Sequence, residues 1–373
     1  MDVSSILSKY DLSKLTIGVL GGHSALDVCR GAKKYGFQTL VVAQRGREKT
    51  YQKYYKSRGE HSEKGIVDHV IAVEKFSDII HDNIQTQLRA MNTLFVHSRY
   101  FWVYCNFADI EQKFHVPIIG NRELLRAEER SIDKNQYYIL QKAGIRFPKI
   151  FQPSAIDRLV IVKVNEAARG YERAFFFAAS VADYEKKAKE LIASGTVTAD
   201  ALQKATIEEY IIGAHVNFNY FYSPLTSEVE LLGTDMRRQT NIDGILRLPA
   251  NEQLELLKKI QPKFVETGHV AVTIKESLLE KAFEIAERFV QATKQEFSPG
   301  IIGPFALQGA VVAENSKEDI VIFDCSLRIP GSPGTMFTPY SGYLYREQMS
   351  YGERIAKEIS DAVKLNKLGL LCT

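Results

Sequence analysis

At 373 residues the chain exceeds one ordinary core and has the length of two or three domains, each able to bury apolar surface without disulfides or structural metal. With 45% hydrophobic residues, 25% charged residues and a formal charge of +3, it has neither the clustered basic and aromatic runs of a nucleic-acid binder nor a segment of roughly 18 apolar residues fit to span a membrane. Cys29, Cys105, Cys325 and Cys372 form no CxxC pair and MDVSSILSKYDLSKLTIGVLGG lacks the apolar core of an export signal, so a soluble protein of the reducing cytoplasm is expected, without zinc or disulfides.

Strand and helix alternate at the start. KLTIGVLGG (14–22) reads as a buried strand, 24–36 as a helix with Leu26, Cys29 and Ala32 on one side, and 38–44 as a second strand. RGREKTYQKYYKSRGE (45–60) reads as a solvated loop; 68–73, 92–98 and 115–120 are further strands and 76–91 a helix. Such alternation predicts a parallel, Rossmann-like α/β sheet. Ligands bind such sheets at the carboxyl ends of the strands, which singles out Gly21, Gly22, His23, Ser24 and the region of Ser98. GGHS is not GxGxxG. Its glycines serve either a phosphate or a plain tight turn, and His23 either faces a ligand or caps the helix.

Beyond residue 120 the pattern becomes α+β. A helix is predicted over 131–143, ended by Gly144, then strands over 159–165, 174–180 and 205–213 with a helix at 181–194. HVNFNYFYSP, EVELLGTDMRRQ, a helix at 276–295, a strand pair over 306–331 and a helix at 351–366 complete the chain. In the second strand of that pair, Asp324, Ser326 and Arg328 fall on one face and Phe323, Cys325 and Leu327 on the other.

Three features carry chemistry. Lys134 lies on the predicted 131–143 helix and Lys163 in the apolar strand VIVKVN, where an ammonium must find an anion or bend to the rim. EEYIIG puts Glu208 and Glu209 at a strand end, and Gln308 and Asp324 are oxygen donors on adjacent strands, a set that suits magnesium together with phosphates. Each feature has a plain alternative: Lys134 at the surface, Lys163 snorkelling, Asp324 pairing with Arg328.

Two lysines, a strand-end hinge and a late oxygen pair in this order resemble the ATP-grasp fold. Nearly the whole chain is similar to the archaeal PurP-type family of formate-dependent ligases, which formylate AICAR (aminoimidazole carboxamide ribonucleotide) to FAICAR. The resemblance rests on GGHSAL, VPIIGNRELLR, IEEYIIG, FYSP, EVELLGTDMR, NIDGILRLPA, KESLL, GIIGPFALQ and MSYGERIAKEI. It implies a pre-ATP-grasp Rossmann-like domain over 1–125, a small ATP-grasp subdomain over 126–205 with a lid at 165–205, and a large subdomain over 206–373. It further implies ATP contacts from Lys134, Lys163, Glu208, Glu209, Tyr210, Ile211 and Gln239, substrate contacts from His23, Ser24, Ser98, Tyr100 and His269, and Mg2+ or Mn2+ on Gln308 and Asp324. Lys163 and Arg328 would serve the reaction, a phosphoryl transfer from ATP to formate followed by amine attack on formyl phosphate.

Several positions depart from the family. VNEAARGYERAFFF carries only Gly170 where the family has a glycine-rich phosphate loop, so Arg169 or Arg173 is expected to substitute. Ser98, Arg99 and Tyr100 replace a His-Gly-Ser, Gln239 and Asp324 stand for glutamates, and His269 for an asparagine. A ligase for another acid or amine and a non-catalytic nucleotide-binding protein therefore stay open, as does self-association; a nicotinamide dehydrogenase is disfavoured.

Overall fold

The computed structural model describes residues 3–59, 64–130, 132–164, 175–260, 262, 265–314 and 316–373. Its first sheet is parallel, in the order β3-β2-β1-β4-β5, from β1 (Thr16–Leu20), β2 (Gln38–Gln44), β3 (His69–Val73), β4 (Thr93–Val96) and β5 (Ile118–Ile119). Both faces of the central strands are buried, which is why β1, β2 and β4 are largely apolar, whereas the edge strand β3 is only partly covered. Ile17, Val19, Val41 and Ala43 face one core, and Leu40, Val42 and Phe95 face the other, with Phe101 and Phe114. The predicted 76–91 helix is interrupted: a 3-10 turn, Phe76–Ile80, is followed by extended His81 and then the helix Asp82–Ala90, because the Asp78 carboxylate accepts from the Lys75 N–H and closes a separate first turn.

Four strands, β6 (Ile150–Phe151), β7 (Val160–Lys163), β8 (Phe175–Ala178) and β9 (Thr206–Glu209), make an antiparallel sheet in the order β6-β9-β7-β8. Val160, Val162, Phe176 and Ile207 turn one face toward Tyr184 of the helix Val181–Ala193. Since β9 pairs with β6 and β7, this unit extends through Glu209, beyond the expected boundary at 205.

The third sheet, β12-β11-β10-β13-β14, is antiparallel and comprises β10 (Ala214–Ser223), β11 (Glu228–Gln239), β12 (Glu266–Ala271), β13 (Gly303–Glu314) and β14 (Lys317–Ser326). One face packs on the helices Leu279–Glu296 and Gln136–Lys142 through Phe218, Tyr220, Phe305, Leu307, Phe289 and Ile139. The alternate positions, Asn217, Asn219 and Gln308, point the other way. The predicted 131–143 helix begins later, because the Asn135 side chain accepts from the N–H groups of Tyr137 and Tyr138 and caps it there; Lys134 precedes it. β12 and the helices Arg99–Tyr104 and Ala250–Leu257 are additional to the sequence reading.

The helix Tyr351–Lys364, assigned by sequence to the last domain, lies against the first: Tyr351, Ile355 and Ile359 share a core with Val19, Val28 and Cys29. It crosses the helix Ala25–Lys34 at a glycine pair. A Cβ on Gly352 would lie 1.9 Å from the Asp27 carbonyl oxygen, and one on Gly31 2.0 Å from the Gly352 carbonyl carbon. Gly352→Ala must therefore part the two helices and is expected to cost on the order of 1–3 kcal/mol in denaturant unfolding. Gly369→Ala, where an added Cβ meets nothing within 4 Å, is the control. The four cysteines are free, and among the described residues no helix is long and apolar enough to cross a membrane.

Candidate active site

Lys163 and Glu208 sit off the face of the small sheet that Val162 and Ile207 leave free, and the Lys163 Nζ lies 2.6 Å from Glu208 Oε2. The anion that a strand lysine requires is thus the strand-end carboxylate itself. Burial pushes the Lys163 pKa down and Glu208 works against that shift. The Tyr137 hydroxyl donates to the other Glu208 oxygen, and Arg130 Nε donates to the Tyr137 hydroxyl at 3.3 Å. Arg130 Nη2 then reaches Asp324 Oδ1 at 2.7 Å. Burial opposes the charge on Arg130, but Asp324, Tyr137 and Glu208 together outweigh it and raise the pKa.

From Asp324 the chain of charges continues across the large sheet. Arg237 Nη2 is 3.9 Å from Asp324 Oδ2, and Arg237 Nε is 3.0 Å from Glu266 Oε2. His269 lies between two carboxylates, Nδ1 at 2.6 Å from Asp235 and Nε2 at 2.8 Å from Glu266. Asp235 in turn accepts from the side-chain amides of Asn217 and Asn219 at 2.6 and 2.7 Å. Gln308 pairs in register with Asp324; its Nε2 donates to Ser326, while its buried Oε1 has no hydrogen-bond partner among the described residues. A β-bulge follows, with Gly309 opposite Ile322. It reverses one expectation: Phe323 does not share a face with Cys325 and Leu327 but packs against Ala310, Val312, Val321 and Ile211, because the extra residue turns it over.

The segment after β14 gathers the other end of the site. The Ser24 hydroxyl donates to the Pro330 carbonyl at 2.6 Å, Ser98 forms a parallel bridge with Ile329, and Ser332 Oγ is 3.2 Å from His269 Nδ1. A Cβ on Gly331 would lie 2.7 Å from the His23 ring, so glycine lets that ring seat. Gly22, at φ 142, has the same relation to Tyr100, whose ring fills the space above it. His23 keeps exposed surface, yet withdrawal from water and the positive charges of Arg328 and Arg99 hold its pKa below the ordinary range, so the ring is neutral. Arg328 is buried with Glu128, whose carboxylate also accepts from the Leu327 N–H at 2.7 Å.

Most of the residues singled out by sequence thus meet in one seam: Lys163, Glu208, Asp324, Gln308 and Arg328, with His23, Ser24, Ser98, Tyr100 and His269 at its far end. Lys134 stands apart, its ammonium 2.8 Å from Glu296 and half-exposed. Glu209 turns from Glu208 toward Arg158 at 3.2 Å, and Tyr210 packs edge-on to Phe177. Gln239 ends β11 opposite Glu266, its N–H donating to Asp243. Ser98 is wholly buried as the cap of the Arg99–Tyr104 helix. Arg169, Arg173 and Gly170 lie outside the described residues, as do residues 165–174 of the expected lid. Asp324 pairs with Arg130 and Arg237, and Arg328 with Glu128, so the alternative Asp324–Arg328 pairing does not form. Sequence reasoning missed Arg130, Glu128, Tyr137, Asp235, Arg237 and Glu266, although Asp235, Arg237 and Gln239 alternate along β11 as visibly as Asp324 and Ser326 do along β14.

His269 gives the site a pH signature. Burial alone would lower its pKa, but hydrogen bonds to Asp235 and Glu266 raise it to about 9. A raised folded-state pKa contributes stability that is complete below the unfolded value near 6.5 and disappears as pH rises through 9. That contribution is about 3 kcal/mol. His269→Gln is expected to remove it, so wild type and variant should differ in denaturant midpoint at pH 6 and converge above pH 9.5; a difference that does not change with pH would contradict an imidazolium.

Two antiparallel sheets meeting at a lysine–carboxylate cluster, preceded by a parallel-sheet domain, are the architecture of the ATP-grasp fold. Solved structures share this architecture. PurP from Thermococcus kodakaraensis, an IMP biosynthesis protein, superposes with TM-score 0.70 at 24% identity, covering 96% of this chain and 100% of that one. The ADP complex of purK, N5-carboxyaminoimidazole ribonucleotide synthetase, gives 0.58 at 13% identity, over 93% of this chain and 77% of that one. The sequence narrows the class. Residues 17–151 match a family described as "Protein of unknown function (DUF1246)" and 183–373 one described as "Domain of unknown function (DUF1297)". Relatives named 5-formaminoimidazole-4-carboxamide-1-(beta)-D-ribofuranosyl 5'-monophosphate synthetase include one from Methanosphaera stadtmanae, 39% identical over 375 residues (100% of this chain, 98% of the relative). Another, from Methanocaldococcus jannaschii, is 39% identical over 371 residues (98% and 97%). The chain belongs to this synthetase family, the PurP proteins.

Proposed function

We propose that this chain is an ATP- and formate-dependent ligase that converts AICAR to FAICAR. The observation that carries the reading is the unbroken run of ion pairs and hydrogen bonds from Lys163 through Arg130, Asp324 and Arg237 to His269, which ties a phosphate-handling end to the His23 end. Formate is inert toward amines until its oxygen becomes part of a leaving group. A formate oxygen takes the γ-phosphoryl group of ATP, the bond to the β-phosphate breaks, and ADP leaves. The AICAR amine then attacks the carbon of formyl phosphate, the C–O bond to phosphate breaks, and the amine loses a proton.

Such transfer depends on positioning and charge more than on covalent help from the protein. Lys163, steadied by Glu208, faces phosphate charge, and Arg130 keeps the Asp324 carboxylate in place from behind. Ile211 and Phe323 share an apolar patch at the end of the β9 hinge, which supports placing the adenine there. The orphaned Gln308 Oε1 and the Asp324 carboxylate are hard oxygen donors that fit Mg2+ or Mn2+. When bound, that ion supplies neutralisation of the phosphoryl charge. Arg328, buried with Glu128 and acting on His23, faces the ribonucleotide rather than formate, and neutral His23 orients that ribonucleotide by hydrogen bonding.

Formate labelled with 18O tests the sequence of bonds. AICAR and formate together should stimulate ADP release, with FAICAR formed in equal amount and one label appearing in the released phosphate. Unlabelled phosphate would rule out formyl phosphate, and ADP release indifferent to AICAR would rule out this acceptor.

A further inference from the structure

Arg99, the first residue of the Arg99–Tyr104 helix, is not needed by the mechanism above, yet its environment is unusual. Its guanidinium lies over the Trp102 ring at 5.8 Å, and it makes no hydrogen bond and no ion pair with a described residue; its Nε is buried without a partner. An unpaired cation withdrawn from water is costly. Its surroundings add to the cost, because burial and the Arg328 and Arg237 charges oppose its own, with Glu266 and Glu128 only partly offsetting them. Those carboxylates are already engaged, Glu128 with Arg328 and Glu266 with Arg237 and His269. Positive charge is therefore in excess beside Tyr100, whose ring covers Gly22 next to His23.

We propose that Arg99, together with Arg328, binds the 5'-phosphate of the ribonucleotide substrate, an assignment that rests on the AICAR reading above. A phosphate monoester suits the planar fork of a guanidinium, which can donate two parallel hydrogen bonds to it. Formate is the less suitable anion. It must meet the γ-phosphate at the Lys163 end, where the charges that act most on Lys163 are Glu208, Arg130 and Asp324, whereas those that act most on Arg99 are Arg328, Glu266, Arg237 and Glu128. The two ends of the seam would thus hold different anions, ATP phosphates at one and the substrate's own phosphate at the other.

The test compares AICAR with its dephosphorylated riboside as acceptors for the wild type, Arg99→Ala and Arg99→Lys. Arg99→Ala should raise KM for AICAR about 10- to 100-fold, leave KM for ATP and formate unchanged, and reduce the preference for ribotide over riboside by the same factor, with Arg99→Lys recovering part of it. Equal losses on both acceptors, or a change confined to formate, would overturn the assignment. Calorimetry with ribose 5-phosphate and with ribose provides an arm that needs no turnover. If the wild type shows no AICAR-dependent activity, the AICAR reading fails by itself; a phosphate-dependent affinity that Arg99→Ala weakens would still uphold the phosphate site, and its absence would remove it.

Discussion

Lys163→Ala is expected to lower kcat/KM for ATP about a thousandfold, the scale of removing a positioned charge from a partly desolvated transition state. The same substitution leaves Glu208, 1% exposed, without its cation, so a stability loss of about 3–5 kcal/mol is expected alongside. A second variant separates the two effects. In Lys163→Met/Glu208→Gln both charges are gone, Tyr137 still has an oxygen to donate to, and the fold should recover while turnover does not. ATP affinity by calorimetry and single-turnover phosphoryl transfer are the readouts. Wild-type values in the double variant would assign the pair to structure alone.

Asp324→Asn is the other large effect. It removes one negative charge from the oxygen pair with Gln308 and leaves Arg130 and Arg237 facing a neutral amide. Turnover should fall about a hundredfold or more, since neutralising charge at the phosphoryl group lowers the barrier to such transfers more than most other effects do. The dependence of the residual activity on Mg2+ concentration should shift to higher values, and Asp324→Glu, which keeps the charge, should recover much of the loss. An unchanged magnesium profile in Asp324→Asn would remove the metal from this residue.

The parts of the structure legible in the sequence were those with strong local signals. Continuous apolar runs gave the parallel strands, alternation in β14 gave the polar face, and the glycines after β1 gave the turn that leads into His23. What failed did so for reasons beyond the local chain. Lys134 was placed by order and helix periodicity, but Asn135 caps the helix one residue later and Glu296, far along the chain, takes the ammonium. Phe323 was assigned by strict alternation, which a single extra residue in β14 cancels. Arg130 and Glu128 lie in a stretch without periodicity, so nothing before the fold existed tied them to Asp324 and Arg328. β12 is half-exposed and mostly polar, a composition that resembles a loop until Asp235 and Arg237 supply its neighbours.

The late helix that crosses Gly31 through Gly352 bears on how the molecule is made. A ribosome releases the first sheet long before residue 351 exists, and a domain ordinarily folds as it emerges. Here it cannot finish. The side of the sheet lined by Val19, Val28 and Cys29 waits for Tyr351, Ile355 and Ile359, and β5 waits for Thr373, which exchanges backbone hydrogen bonds with Ile118 at 3.0 Å. Contacts of such long sequence separation slow the closing step. A nascent chain of this protein therefore carries an open apolar flank for most of its synthesis. The carboxyl end of β1, where His23 is held, gains its lasting shape only once residues 351–373 have been made.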